Sequence, residues 1–420
     1  MATRASKTVM WFLLVGVCLS AVTAGCGPQG EDNAATDKAG KPRAASPLED
    51  KPLSDYRIKL LETAFGAACA LPVPAHRKDR GKAQERVVAA CIKLEQPKRA
   101  IEYTDKILNW RQGACYADLA FFRAQQGCRG REVQDYLDKA VKVSSVSRDW
   151  SRDRIKAKVA RVHALLGQDR KVAELASSLD KSELGKTAGM RASIGDDGAF
   201  NKHVSTLDAL AKSGGLDIAA NVGTSLVELY DRYYEDKRRR LLIAEHIEKN
   251  SDKVPVFMRL EQLLKMADIA LGREDRAEAL LLVNKAQQLY DGAEWPLRFG
   301  IPWKARLAAA RFGVGDTERA KKDIDSAHAQ FNEHRDNILN FDRAGVLRPI
   351  AEAYQSMGES AESLAVYKQA VKEGAVNPNA RPRANDLSAT CCSMALSGIE
   401  PDAELWDGIT KIREDLCEPW

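Results

Sequence analysis

Beyond residue 55, apolar side chains recur at intervals of three and four along the chain. Short polar breaks carrying Gly, Asp or Asn separate these stretches. That periodicity lays the apolar positions on one face of a helix, and it predicts helix after helix. Long strict alternation, the signature of a half-buried strand, is absent. The fold class is all-α.

A second period lies over the first. Ala308, Ala320 and Ala327 are spaced by 12 and 7 residues. Ala267, Ala279 and Ala286 repeat both intervals, as do Ala351, Ser363 and Ala370. Gly272, Gly315 and Gly358 recur every 43 residues, each near a turn. Two antiparallel helices approach closely only where a small residue sits at their crossing. A third small residue lets the next hairpin stack. One hairpin cannot bury its apolar face alone, so neighbours are required.

This pattern resembles the tetratricopeptide repeat. Ala351, Tyr354, Gly358, Tyr367 and Ala370 fall on family positions. The period is longer than the family's usual 34 or so residues. Weaker copies lie at Val88–Ala100–Ile107, Phe121–Val133–Ala140 and Ala160–Val172–Leu179. The resemblance implies an α-solenoid of antiparallel helix hairpins, wound as a right-handed superhelix. Repeats occupy 55–181 and 204–380. A glycine-rich linker at 182–203 divides them into two lobes, and capping helices fill 381–420. By the family register, first-helix side chains face the inner curve and bind a protein or an extended peptide. Those side chains are Arg154, Arg161, Asp268, Phe312, Arg348, Glu352 and Gln355.

The N-terminus sets the compartment. Arg4 and Lys7 precede an apolar stretch from Val9 to Val22. It is shorter than the roughly 20 residues a spanning helix needs, and it has the form of a signal-peptide core. Ala24, Gly25 and Cys26 follow. This order resembles the bacterial lipoprotein signal, with Thr23 standing where that family has an aliphatic residue. The resemblance implies removal of residues 1–25 and lipidation of Cys26. Gly27, where inner-membrane retention would want aspartate, points to the outer membrane and its periplasmic face. Ordinary signal-peptide cleavage is the other reading. Residues 26–54 lack apolar periodicity and read as a flexible tether.

Composition narrows the chemistry. Lys and Arg number 64 against 59 Asp and Glu. Interspersed charge of this kind argues against nucleic acid as a partner. Gly185-Lys186-Thr187 ends like a phosphate loop, but Asp180 stands where its first glycine belongs. Six histidines show no metal-ligand spacing. No catalytic residue, metal or cofactor is expected, and the chain reads as a non-enzyme. An exported protein meets an oxidising compartment. Stacked repeats then bring Cys91 near Cys128, and Cys69 near Cys115, as possible disulfides. The basic run Lys237–Arg240, with Trp150 and Trp406, hints at an alternative, a glycan- or cell-wall-binding role; an enzyme-accessory subunit of an envelope complex is a separate one.

Overall fold

The computed structural model describes residues 48–192 and 197–420 of the chain. All regular structure among them is helical. α1 (Asp55–Ala70) comes first. The chain then folds as hairpins: α2 (Val73–Lys93) with α3 (Pro97–Asp105), and α4 (Arg111–Gln125) with α5 (Arg131–Ser145). Next come α6 (Asp149–Leu165) with α7 (Asp169–Ala176), and α8 (Lys181–Ala192) with α9 (Asp197–Ser213). α10 (Leu216–Arg232) pairs with α11 (Lys237–Lys249), and α12 (Val256–Gly272) with α13 (Arg276–Asp291). α14 (Leu297–Gly313) pairs with α15 (Thr317–Glu333), and α16 (Asn340–Ser356) with α17 (Ser360–Ala375). α18 (Ala380–Ser397) and α19 (Ala403–Glu414) end the chain.

The small residues sit where the helices cross. Ala267, Ala279, Ala286, Ala308, Ala320, Ala327, Ala351 and Ser363 are all fully buried. Ser363 also donates its hydroxyl to the Ala351 carbonyl at 2.8 Å. In the second hairpin Ala120, fully buried, takes this place, while Phe121 is only half-buried.

The turns within hairpins share one device. The Asp316 amide donates to the Arg311 carbonyl at 3.0 Å, Glu359 to Tyr354 at 3.0 Å and Gln168 to His163 at 2.9 Å. Asp275 repeats the bond to Ala270. In each, the residue just before the donor is left-handed: Gly315 (φ 93°), Gly358 (82°), Gly167 (71°) and Glu274 (60°). This is the helix-terminating motif that satisfies otherwise unpaired carbonyls. The α12–α13 turn is therefore held by Glu274, two residues beyond Gly272. Gly272 lies inside α12, and the regular glycine interval is a coincidence of spacing.

The array closes on itself. The first helices of the hairpins, together with α18, form an inner series in which each packs on the next, and α18 packs on α2. α19 does not serve as the return helix of α18. α1 fills that place, running antiparallel along α18 and then contacting α2. Its Tyr56 hydroxyl donates to the Gly398 carbonyl at 3.0 Å. Arg57 lies so close to Gly398 that a Cβ there would sit 2.1 Å from its guanidinium. Leu60, Leu61, Ala64, Ala67 and Ala68 are fully buried. α19 covers α17 and α18 from outside through Leu405, Ile409 and Ile412. The repeats thus form a ring, where sequence periodicity had suggested an open array with a terminal cap.

Two boundaries differ from expectation. Residues 182–192 are helix α8, an inner member of the ring. A Cβ at Gly189 would lie 2.7 Å from Ser225, and one at Gly185 3.2 Å from Val222. These glycines permit a close crossing with α10 rather than marking a linker. The apolar core does change hands nearby: one cluster spans α1–α6 and α14–α19, another α8–α13. Residues 48–54, assigned to the tether, are docked. The Lys51 amide donates to the Glu95 carbonyl at 2.9 Å, and Asp50 accepts from the Lys98 amide at 2.7 Å.

Two outcomes test this architecture. Left-handed backbone costs a non-glycine residue roughly 1 kcal/mol. Glu274→Gly should therefore stabilise the protein by about that amount, and Gly358→Ala should destabilise it similarly, since a Cβ at Gly358 meets no neighbour within 4 Å. Denaturant midpoints measure both. Leu61→Ala should cost about 2–5 kcal/mol as a core truncation, whereas Leu281→Ala at a half-exposed site should stay within about 0.5. Equal losses would remove α1 from the ring.

Candidate functional site

The sequence-derived binding positions lie on the inner helices, and the structure engages most of them internally. Arg161 ion-pairs with Glu228 of α10 at 3.2 Å and stacks over Phe121 at 4.1 Å. Arg348 reaches Asp386 of α18 at 3.4 Å. Glu352 accepts from the Ser393 hydroxyl at 2.5 Å, and Gln355 from Ser360 at 3.0 Å. Arg154 lies 5.8 Å from the Trp110 ring, and Phe312 is half-buried near the end of α14. Asp268 differs. It is exposed and makes no ion pair among the described residues.

These contacts belong to a wider belt. Glu85 pairs with Arg111 between α2 and α4, and Asp118 with Lys158 between α4 and α6. Glu261 joins Arg306 at 2.7 Å between α12 and α14, and Arg298 joins Asp342 at 3.4 Å between α14 and α16. Burial alone would lower Lys158, but Asp118 and Glu85 outweigh it and hold the ammonium up. Burial alone would raise Glu261, yet Arg306 and Lys265 keep its carboxyl below the usual range. Asp268 lacks such a partner. Desolvation pushes its carboxyl up to about 6, with Arg306 pulling it back and the neighbouring Glu261 carboxylate pushing it further up.

Sequence reasoning missed Lys82, Arg86, Lys158, Lys265, Arg306 and Asp386. A signal existed for four of them. Arg86, Lys158, Lys265 and Arg306 each stand two positions before the close-packed residue of their helix.

Several candidate chemistries are absorbed by structure. The seven cysteines of the described region are free thiols, so neither expected pairing, Cys91 with Cys128 or Cys69 with Cys115, is formed. Cys91, Cys115 and Cys128 pack as small apolar residues in the core, and burial pushes the Cys91 and Cys115 thiols well up. Arg238 pairs with Asp197 at 2.9 Å, and Arg239 joins the same carboxylate while stacking on Phe200 and Tyr233. Arg240 stacks on Tyr234 at 4.3 Å. Most of the basic run is thereby satisfied within the protein. Lys186 of the phosphate-loop lookalike pairs with Glu183 inside α8. Cys26 lies outside the described residues.

The inner helices run parallel, as ion pairs between matching turns require. At the rim where they begin, Leu108, Val146, Trp150, Leu216, Leu339 and Phe341 are 47% to 82% exposed. Trp150 meets Trp110 edge-on at 5.1 Å. The chain joins the opposite rim, where Lys51 meets Glu95 and Tyr56 meets Gly398. A groove of about 610 Å³ lies between α17 and α19, and one of about 470 Å³ among α11, α12 and α13.

No family model matches this chain, and no curated protein does. Among solved structures it is similar to a circular tandem repeat protein with novel repeat topology and enhanced subunit contact surfaces. Identity is 14%, with 86% of this chain and 95% of that one covered, at a TM-score of 0.28. The chain is an all-α helical repeat protein, and its own packing defines the ring.

Asp268 gives a prediction with a defined sign. A carboxyl raised in the folded state binds protons that the unfolded chain has released. Its contribution therefore falls as pH climbs from about 4 to about 6, and stays reduced above that. Asp268→Asn should raise the melting temperature at pH 7 and leave it unchanged at pH 4. An equal shift at both values would dissociate Asp268 from the effect.

Proposed function

We propose that this protein is a lipid-tethered, periplasm-facing scaffold of a bacterial envelope, and that it docks a partner protein on the apolar rim of its ring. The rim carries the reading. Isolated exposed apolar residues are ordinary, but here six stand at or just before the start of an inner helix, and Trp150 of α6 meets Trp110 beside α4 edge-on at 5.1 Å. Trp110 beneath Arg111 and Arg154, with Trp150 and Phe341, matches the aromatic and arginine enrichment of protein interfaces. The Ala24-Gly25-Cys26 ending supports the tether. No helix among the described residues is long and apolar enough to cross a membrane.

Two experiments test the two halves. Cys26→Ser should move the protein from the membrane fraction to the soluble fraction. A wild type without an acyl label would dispose of the anchor. A photo-crosslinker at Phe341 should yield discrete adducts in cells, while one at Lys321 of α15, at the opposite rim, should yield none. Leu339→Glu with Phe341→Glu should abolish those adducts without lowering the melting temperature. Matching adducts at 341 and 321 would remove the rim from the proposal.

A further inference from the structure

The inner-wall ion pairs leave a remainder at the seam where α16, α18 and α2 meet. Lys82 and Arg86 stand one turn apart on α2. Among the described residues neither has a carboxylate partner. Arg86 reaches only the Asn385 carbonyl, at 3.4 Å. Arg348 arrives from the other side of α18 and meets the next residue, Asp386, at 3.4 Å. Two guanidinium groups from different helices therefore converge on residues 385–386. Arg111 lies nearby but is held by Glu85. The carboxylate of Asp79 bears on Lys82, yet Arg381 takes it at 3.5 Å.

The local charge is uncompensated. Lys82, Arg86, Arg111 and Arg348 face two carboxylates, Glu85 and Asp386. The Cys392 thiol beside the arginines is pushed up to about 12 by burial, so it stays neutral and adds no counter-charge. Burial, and then Arg86 and Arg111, lower Lys82. Burial, and then Arg348, lower Arg86. Enclosed cations crowded by cations cost stability unless an anion joins them. Elsewhere on the inner wall, Lys158 and Arg306 each pair with a carboxylate of the adjacent helix.

We propose that Lys82, Arg86 and Arg348 form a binding site for an anionic oxygen group, a carboxylate or a phosphate, on the inner wall of the ring. Arginine forks grip either group through paired N–H donors, and the lysine adds a point charge. Lys82 and Arg86 are half-buried, so water reaches them and a small anion can follow. The site goes beyond partner docking. The rim can fail as an interface while the seam still binds, and the reverse.

The test uses the full chain, titrated calorimetrically with inorganic phosphate and, separately, with acetate. Ionic strength is held constant with chloride. The wild type should bind at least one of them saturably. Stronger phosphate binding points to a phosphoester as the natural group, and stronger acetate binding to an acidic side chain or uronic acid. Arg86→Gln and Lys82→Gln should each weaken binding at least tenfold, while Arg238→Gln on the outer surface should not. Without ligand, both seam variants should melt no lower than the wild type, because each removes an uncompensated charge. No saturable binding to the folded wild type, or unchanged binding in both seam variants, overturns the site. Seam variants that melt well below the wild type overturn it too, since their charges would then be structural.

Discussion

A helix hairpin with one apolar face is stable only when something covers that face. Everything in this ring depends on that requirement being met for the last inner helix as well as the first. α1 meets it by lying along α18 and α2 together. Leu60 and Leu61 leave water completely there, and each such burial contributes about 1.5–3 kcal/mol. Without α1, α18 would lack its return helix and α2 would expose a flank. The contact joins residues more than 300 apart in sequence, as Tyr56 and Gly398 illustrate. It also frees α19 from the hairpin position, which is why that helix sits outside.

Close inner packing has a second consequence. Alanine at the crossings brings neighbouring inner helices near enough for charged side chains to bridge them. The bridging residues come from repeat-related positions, and most find an opposite charge on the next helix. Similar logic operates at the turns. Arg123 is nearly fully buried, yet it grips Glu132 with two bonds of 2.9 and 3.0 Å. Arg311, buried likewise, binds Asp316 at 3.1 Å. Each ties the end of one helix to the acidic start of its return helix, where the helix dipole also favours a carboxylate. Weakening the pairing of a buried guanidinium is costlier than losing a surface pair, and Arg311 has a second carboxylate, Asp323, at 3.5 Å. Among the described residues, Lys82, Arg86, Arg154 and Asp268 depart from this pairing.

How much of this was legible depended on how far apart the interacting residues lie. Helices, hairpins and their crossing alanines were readable because the partners are a dozen residues apart. Ala320 against Ala308 is a local matter of spacing and side-chain size. The turns were readable where glycine supplied the left-handed residue, as at Gly315 and Gly358. They were misread at Glu274, where a non-glycine residue bears the same conformation. Gly185 and Gly189 misled in the opposite sense. Glycine signals a flexible connection or a close crossing equally well, and only the presence of Ser225 and Val222 opposite them decides.

That the chain is all-α, that its helices pair as hairpins, and which small residues hold each pair together are all written in the order of its residues. Those features follow from periodicity and local sterics. That the array is a ring emerges from the packed molecule alone, because closure rests on α1 meeting α18 across nearly the whole chain. The packed molecule alone shows the seven cysteines of the described residues as free thiols, since spacing shows which thiols share a neighbourhood but not whether they bond. It alone decided the state of the inner wall. Arg348 and Glu352 are charged, helical and on the inward face, as their spacing indicates. Whether such a side chain waits for a partner or already has one depends on Asp386 and Ser393, which sit on another helix and are placed there by the closure of the ring.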